Sequence, residues 1–173
     1  LLGTPFAQFL KFTSEFRHLY TFSEKHQLAS RIMGGVIWSY GNKTIAPYSE
    51  QFYVGGANSI RAFTIRSIGP GRFHPASSSS YSYVDETGDI KLEANLEYRF
   101  RIFSNFLGGN LNGAAFLDAG NVWLLRKDEA RPNAEFSLNH FFDSIALGTG
   151  VGIRYDFSFL VLRLDWGIAL HVP

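Results

Sequence analysis

From Asp89 to Ile102 the chain alternates without an error between two kinds of residue. Ile90, Leu92, Ala94, Leu96, Tyr98, Phe100 and Ile102 are apolar; Asp89, Lys91, Glu93, Asn95, Glu97, Arg99 and Arg101 are polar, and all but Asn95 are charged. Successive side chains of a β-strand point to opposite faces, so this is one strand with a greasy face and a charged face. It is far longer than the usual strand of about 5–6 residues. At about 3.3 Å per residue it spans roughly 45 Å, and tilted by about 45° it crosses a hydrocarbon layer of about 30 Å. A soluble sheet would need a large layer to cover the apolar face. A barrel wall needs none: lipid meets one face and water in the lumen meets the other.

The same period of two recurs along the chain. From Phe6 to Phe22 the even face holds Phe6, Leu10, Phe12, Phe16, Tyr20 and Phe22 and the odd face Lys11, Thr13, Glu15, Arg17 and Thr21; Phe9 and Leu19 break the odd face. After a polar turn, Ser23-Glu24-Lys25-His26, the stretch Gln27–Tyr40 carries Leu28, Ile32, Val36, Trp38 and Tyr40 on one face. A turn over Asn105–Asn110 leads to Leu111–Trp123, which sets Leu111, Ala115, Leu117, Ala119 and Trp123 against Asn112, Phe116, Asp118 and Gly120. Arg126–Asp143 reads as a polar loop. Ile145–Phe157 sets Ile145, Leu147, Val151, Ile153, Tyr155 and Phe157 against Gly148, Gly150, Gly152, Arg154 and Asp156. Leu160–Leu170 sets its even, apolar residues against Arg163, Asp165, Gly167 and Ala169. Connections run short, very long, short, long, short, as in barrels with turns on one side of the membrane and loops on the other. The predicted fold class is all-β: an antiparallel transmembrane β-barrel segment, about six strands of a larger barrel, since so few strands do not close one of the needed width. Residues 1–173 read as a single, incomplete barrel domain with no repeat and no linker.

The longest irregular stretch is Asn42–Gly88. Its centre, Gly55-Gly56-Ala57-Asn58-Ser59-Ile60-Arg61-Ala62-Phe63, joins turn-formers to one cation between apolar residues. Solvated loops seldom need that mix, so it predicts a loop that folds back into the space the wall encloses. Ala76–Tyr81, rich in serine, reads as a surface excursion.

Composition excludes several classes. Net charge is +1, which gives no basic field for nucleic acid. There is no cysteine, hence no thiol chemistry and no Cys-based zinc site. No apolar run is long enough for a transmembrane helix, which leaves strands as the way across. The N-terminus has no signal-peptide pattern. Individual residues have plain readings beside sharper ones. Arg61 is either a solvated loop arginine or a buried lumenal partner. Gly148, Gly150 and Gly152 would suit a nucleotide loop only if a helix followed, and none is signalled, so they read as a bare face where another backbone comes close. Glu93, Glu97, Asp118 and Asp165 read as lumen charges rather than catalytic carboxylates, and the five histidines are scattered without metal spacing. His140 and Ser144 flank a loop and do not line up for a hydrolase. Trp38, Trp123 and Trp166 read as interface anchors or as core aromatics.

Four stretches, in order, resemble the outer-membrane barrel-assembly superfamily of BamA-type and TamA-type insertases, bacterial surface antigens and two-partner secretion transporters. Ile60-Arg61-Ala62-Phe63 after Gly55-Gly56 is similar to its Val/Ile-Arg-Gly-Phe/Tyr motif, with Ala62 where glycine is usual. Phe116-Leu117-Asp118-Ala119-Gly120 resembles its Phe-x-Asp-x-Gly strand. Gly150–Tyr155 and Leu162–Gly167 resemble its penultimate strands. The resemblance implies a sixteen-stranded barrel behind periplasmic POTRA domains, with this chain a C-terminal piece lacking the N-terminal domains, early barrel and closing strand. It implies a bacterial outer-membrane location and a non-enzymatic role, inserting β-barrel client proteins. Implied partners are outer-membrane lipid, unfolded β-barrel clients and accessory assembly lipoproteins, with no nucleic acid and no cofactor. A two-partner secretion transporter is the alternative within the superfamily; a small-ligand-binding or hydrolytic barrel is the alternative outside it.

The expected site has three parts. The lumenal loop motif is Gly55, Gly56, Ile60, Arg61, Ala62 and Phe63. The strand it docks on carries Phe116, Asp118 and Gly120, with Gly120 leaving room beside the carboxylate. The glycine and charge face holds Gly148, Gly150, Gly152, Arg154, Arg163 and Asp165. Arg61 is expected to reach Asp118, because a planar guanidinium can pair with a carboxylate and stack on Phe116 at once.

Overall fold

The computed structural model describes residues 7–42, 45–74, 86–157 and 159–173. Six strands, β1 (Gln8–Ser23), β2 (His26–Tyr40), β3 (Ile90–Phe106), β4 (Gly109–Trp123), β5 (Ala146–Phe157) and β6 (Leu160–His171), form one sheet in sequence order. Every neighbouring pair is antiparallel. The sheet is open, with β1 and β6 each hydrogen-bonded on one side only. No α-helix occurs among the described residues.

Alternation sorts the two faces. Phe12, Phe16, Leu164 and Ile168 are 64, 64, 61 and 68% exposed, and Leu96, Tyr98, Ile102 and Leu117 lie exposed on the same face. On the opposite face Glu93 and Asp118 are wholly buried and Glu97 nearly so. An apolar exterior over a charged interior inverts a soluble sheet and suits a wall between lipid and an aqueous lumen. Aromatic contacts gather at the hairpin end, with Tyr20–Phe22, Tyr98–Phe100, Phe103–Phe106 and Tyr155–Phe157 in ring contact. That is the girdle expected at a membrane boundary.

The core lies in the lumen. Val54, Ile60 and Ile68 of the long β2–β3 loop are fully buried with Phe52 and Ala46 against Ile37 of β2, Val122 of β4 and Ala146 of β5; Phe9 and Phe63 pack against this cluster. Phe9, which broke the polar face of β1, thus meets the loop rather than water. The Phe52 ring sits over Gly35, where a Cβ would come within 2.4 Å of it.

Two expectations need correction. The β3–β4 turn is only Leu107-Gly108, not Asn105–Asn110: both residues have positive φ, 48° and 84°, as two-residue hairpins require. Register shifts between Arg101 and Phe103 and again before Phe106 carry Phe103 opposite Leu111 on the apolar face, and this break in period concealed the strand's end. The loop between β4 and β5 is not simply polar, for Phe136 and Phe141 pack on Trp123. Trp123 is accordingly 1% exposed, unlike Trp38 and Trp166 at 58 and 57%. The expected serine-rich excursion, Ala76–Tyr81, lies outside the described residues.

Candidate functional site

The loop motif is a closed local structure. Gly55 and Gly56 have φ of 95° and 91°. A Cβ on Gly55 would also lie 2.1 Å from the Thr64 carbonyl oxygen, so both conformation and space demand glycine there. The Gly56 N–H donates to the Phe63 carbonyl at 2.8 Å, that of Phe63 to Ile60 at 3.1 Å and that of Arg66 to Val54 at 2.9 Å. The Gly55 N–H donates to Ser59 Oγ at 2.9 Å. These bonds hold Arg61 at the tip of a turn whose base, Val54 and Ile60, is anchored in the lumenal core.

Arg61 meets β4 and β3 together. Its Nε donates to Asp118 Oδ2 at 2.7 Å, Nη2 to Oδ1 at 2.8 Å, and its backbone N–H to Oδ2 at 3.1 Å. Nη1 donates to Glu97. The guanidinium carbon lies 3.6 Å from the centre of the Phe116 ring. The side chain is 6% exposed and that of Asp118 not at all. A forked pair of charge-assisted bonds fixes the plane of the guanidinium as well as its position, which lysine could not do. Asn95 Nδ2 joins Asp118 Oδ1 at 2.9 Å to the Ser59 carbonyl at 2.7 Å. The carboxylate is therefore saturated with donors, as a buried charge must be.

The network extends across the wall. Glu97 accepts from Arg99 at 2.7 Å and from Arg154 of β5 at 2.8 Å. Arg154 and Arg163 both donate to Asp165, at 2.7 and 2.5 Å, and Arg163 also donates to the Ala57 carbonyl at 2.9 Å. On the other flank Arg31 of β2 reaches the Asn58 carbonyl, Glu93 and Asn95 at 3.2, 3.2 and 3.0 Å. Glu93 also pairs with Lys91 at 3.0 Å and accepts from Ser59 Oγ. Residues 57–61 thus touch charged or polar groups of β2, β3, β4 and β6.

The glycine face is where the turn lands. A Cβ on Gly148 would be 2.6 Å from the Ala62 Cβ, and one on Gly167 2.9 Å from the Ala62 Cα. Ala62 is thus accommodated by the strands. Gly150 faces the Phe116 ring and the Trp166 carbonyl, and Gly152 faces Asp165 and Arg154. Gly120 differs from expectation. Its missing Cβ would strike the Leu92 carbonyl oxygen at 2.4 Å and the Glu93 Cα at 3.0 Å, so it serves the approach of β3 and makes no room beside Asp118. Sequence reasoning did not name Glu97, Asn95, Glu93, Ser59, Arg31 or Gly167 as loop contacts. Glu93, Asn95 and Glu97 share the charged face of β3, and the register Asn95 opposite Asp118 brings them to the loop.

The site is built to bind a segment of its own chain. Among the described residues no group of His, Cys, Asp and Glu is placed to hold a metal ion. The lumenal cavity beside the loop, about 680 Å³, is lined by Arg17, Arg31, Arg61, Arg99, Arg163 and Glu97.

Comparison with known proteins agrees with this architecture. The Omp85 superfamily domain matches residues 3–173. The chain is 30% identical over 162 residues to the outer membrane protein assembly factor BamA of Nitratidesulfovibrio vulgaris (strain Hildenborough), covering 94% of this chain and 18% of that protein. It is similar in fold to the crystal structure of BamA from Haemophilus ducreyi lacking POTRA domains 1–3, with a TM-score of 0.70 and 17% identity over 96% of this chain and 32% of that one. The chain spans less than a third of the length of either relative.

Proposed function

The chain belongs to the Omp85 superfamily, and from that premise we propose that it is the C-terminal part of the barrel of an outer-membrane assembly factor, one that promotes insertion of β-barrel client proteins. Its place is the bacterial outer membrane, and its strands are transmembrane. The proposed work is conformational rather than chemical. The loop fills the lumen and braces the wall, so that the barrel can deform elsewhere without collapsing. Unfolded β-barrel clients, lipid and accessory assembly lipoproteins are the partners of this reading.

One observation carries it: the bidentate pair of Arg61 with the fully buried Asp118, in a chain 30% identical to an assembly factor. Removing one partner of a buried pair typically costs about 3–5 kcal/mol, so the loop is held firmly. The test is reconstitution. Full-length protein in liposomes is expected to speed the folding of an unfolded outer-membrane barrel, read by its electrophoretic heat shift and protease protection. Client folding no faster than in empty liposomes would overturn the reading.

A further inference from the structure

Trp123 belongs by alternation to the lipid-facing row of β4, with Leu117 and Leu111, yet it is almost completely covered. The cover is the β4–β5 loop. Phe141 stacks on the indole with centroids 5.9 Å apart, Phe136 meets it edge-on at 5.5 Å, and Trp123 Nε1 donates to Ser144 Oγ at 3.0 Å. The loop therefore packs against the outer row of the wall at this end. Phe142 continues the aromatic chain, 5.4 Å from Phe141, and is 85% exposed; Leu138, on the preceding turn, is 80% exposed.

Level matters as well as side. Val36 pairs with Ile90 and Ile90 with Trp123, so these three form one rung. Trp38 lies just beyond that rung on β2, on the lipid face, and is 58% exposed. An exposed tryptophan at a strand end marks the boundary between acyl chains and headgroups. Phe142 and Leu138 stand exposed on a loop packed against the wall at that level. Large apolar side chains left this exposed signal a binding surface.

We propose that the β4–β5 loop is a membrane-interface anchor, laying Phe142 and Leu138 into the boundary between headgroups and acyl chains of the outer leaflet. The occupant is lipid because the aromatic chain starts in the wall's lipid-facing row at Trp123 and passes through Phe141 to the exposed Phe142. Side chains seated this way sit about 5–10 Å into the boundary, so they fix the height of the wall in the membrane. The proposal depends on the outer-membrane location and not on what the protein does to clients.

Depth-dependent quenching tests it. Full-length protein with no other reactive thiol carries Phe142→Cys or, separately, Leu138→Cys, each labelled with an environment-sensitive fluorophore. Each is reconstituted in phosphatidylcholine–phosphatidylglycerol vesicles with nitroxide lipids quenching at the headgroup or deep in the acyl chain. Both sites are expected to lose more fluorescence to the shallow quencher than to the deep one. Leu117→Cys should lose more to the deep one, and Lys127→Cys should respond to neither. No quenching at 142 and 138 would overturn the proposal in either form: water-like emission means a free loop, and dry, unquenched emission means cover by another protein loop or a second copy. Two separate sites keep the test decisive if one variant fails to fold.

Discussion

The backbone of Ala62 rests on Gly167: a Cβ built on that glycine would lie 2.9 Å from the Ala62 Cα and 3.0 Å from its nitrogen. Backbone cannot give way as a flexible side chain can. Gly167→Val is therefore expected to lift the turn off β6, at an overpacking cost of about 1–3 kcal/mol. Limited proteolysis of the full-length protein should show faster cleavage within the β2–β3 loop. Gly34→Ala, whose new Cβ would find only ordinary contacts near 3.9 Å, should leave the cleavage rate unchanged.

Arg61→Ala strands Asp118 and Glu97 in the lumen with fewer donors. The expected loss is about 3–5 kcal/mol of loop docking, with a matching fall in client insertion by the reconstituted protein. Asp118→Ala should do similar damage, and the double variant less than the sum, because the two residues act as one unit. Arg61→Lys keeps the charge but loses the fork and the flat stack on Phe116, so an intermediate effect is expected. Normal loop protection and normal insertion by Arg61→Ala would refute the bracing role.

The wall's two faces should respond oppositely to charge. Leu117→Arg puts a guanidinium on the lipid face, where the cost is about 2–4 kcal/mol near the bilayer midplane. Asn112→Arg puts the same group on the lumenal face of the same strand and should cost far less. Urea titration of the full-length protein folded into lipid vesicles measures both. Equal losses would contradict the assigned faces.

Glu86, on the returning leg of the loop, introduces a pH dependence. Burial alone pushes its carboxyl up from 4.5 to about 7. Its Oε2 finds no hydrogen-bond partner among the described residues. Because the folded-state pKa is raised, the stability gained is full below the unfolded value near 4.5 and is lost as pH rises through about 7. The segment around Glu86, whose N–H reaches the Arg66 carbonyl at 3.4 Å, should exchange its amide hydrogens faster at pH 8 than at pH 5 after correction for intrinsic rates. Glu86→Gln should abolish that difference.

Much of the wall was legible because one physical demand repeats along it. Ile90 to Ile102 must show lipid one face and water the other, and alternation is the direct record of that demand. The lumenal position of Arg61 was only partly legible: its flanks left a solvated arginine open, and the motif's resemblance, with Asp118 sharing a face with Phe116, turned the reading inward. The pairing of Arg61 with Glu97 was not, since it depends on the β3–β4 register, which two bulges near Phe103 and a turn of only two residues set. Gly120 was misread because its neighbour is the β3 backbone, and sequence pattern along one strand carries nothing about the strand beside it. Trp123 was ambiguous for a related reason: parity put it outward, and only the folding of Phe136 and Phe141 back onto it decides its burial.

The spread of the loop's contacts sets an order of events. The bonds from Arg61 to Asp118 close over 57 residues, and that from Arg163 to Ala57 over 106. Each waits for a strand synthesised well after the loop, and closing so long a chain segment is slow. Docking is thus a late step that can finish only when β4, β5 and β6 have joined in the correct register. A slip of one residue would turn Asp118 or Arg163 toward lipid and leave the loop unmatched. The full set of loop bonds is thus available only to a wall in which each strand has presented the right face.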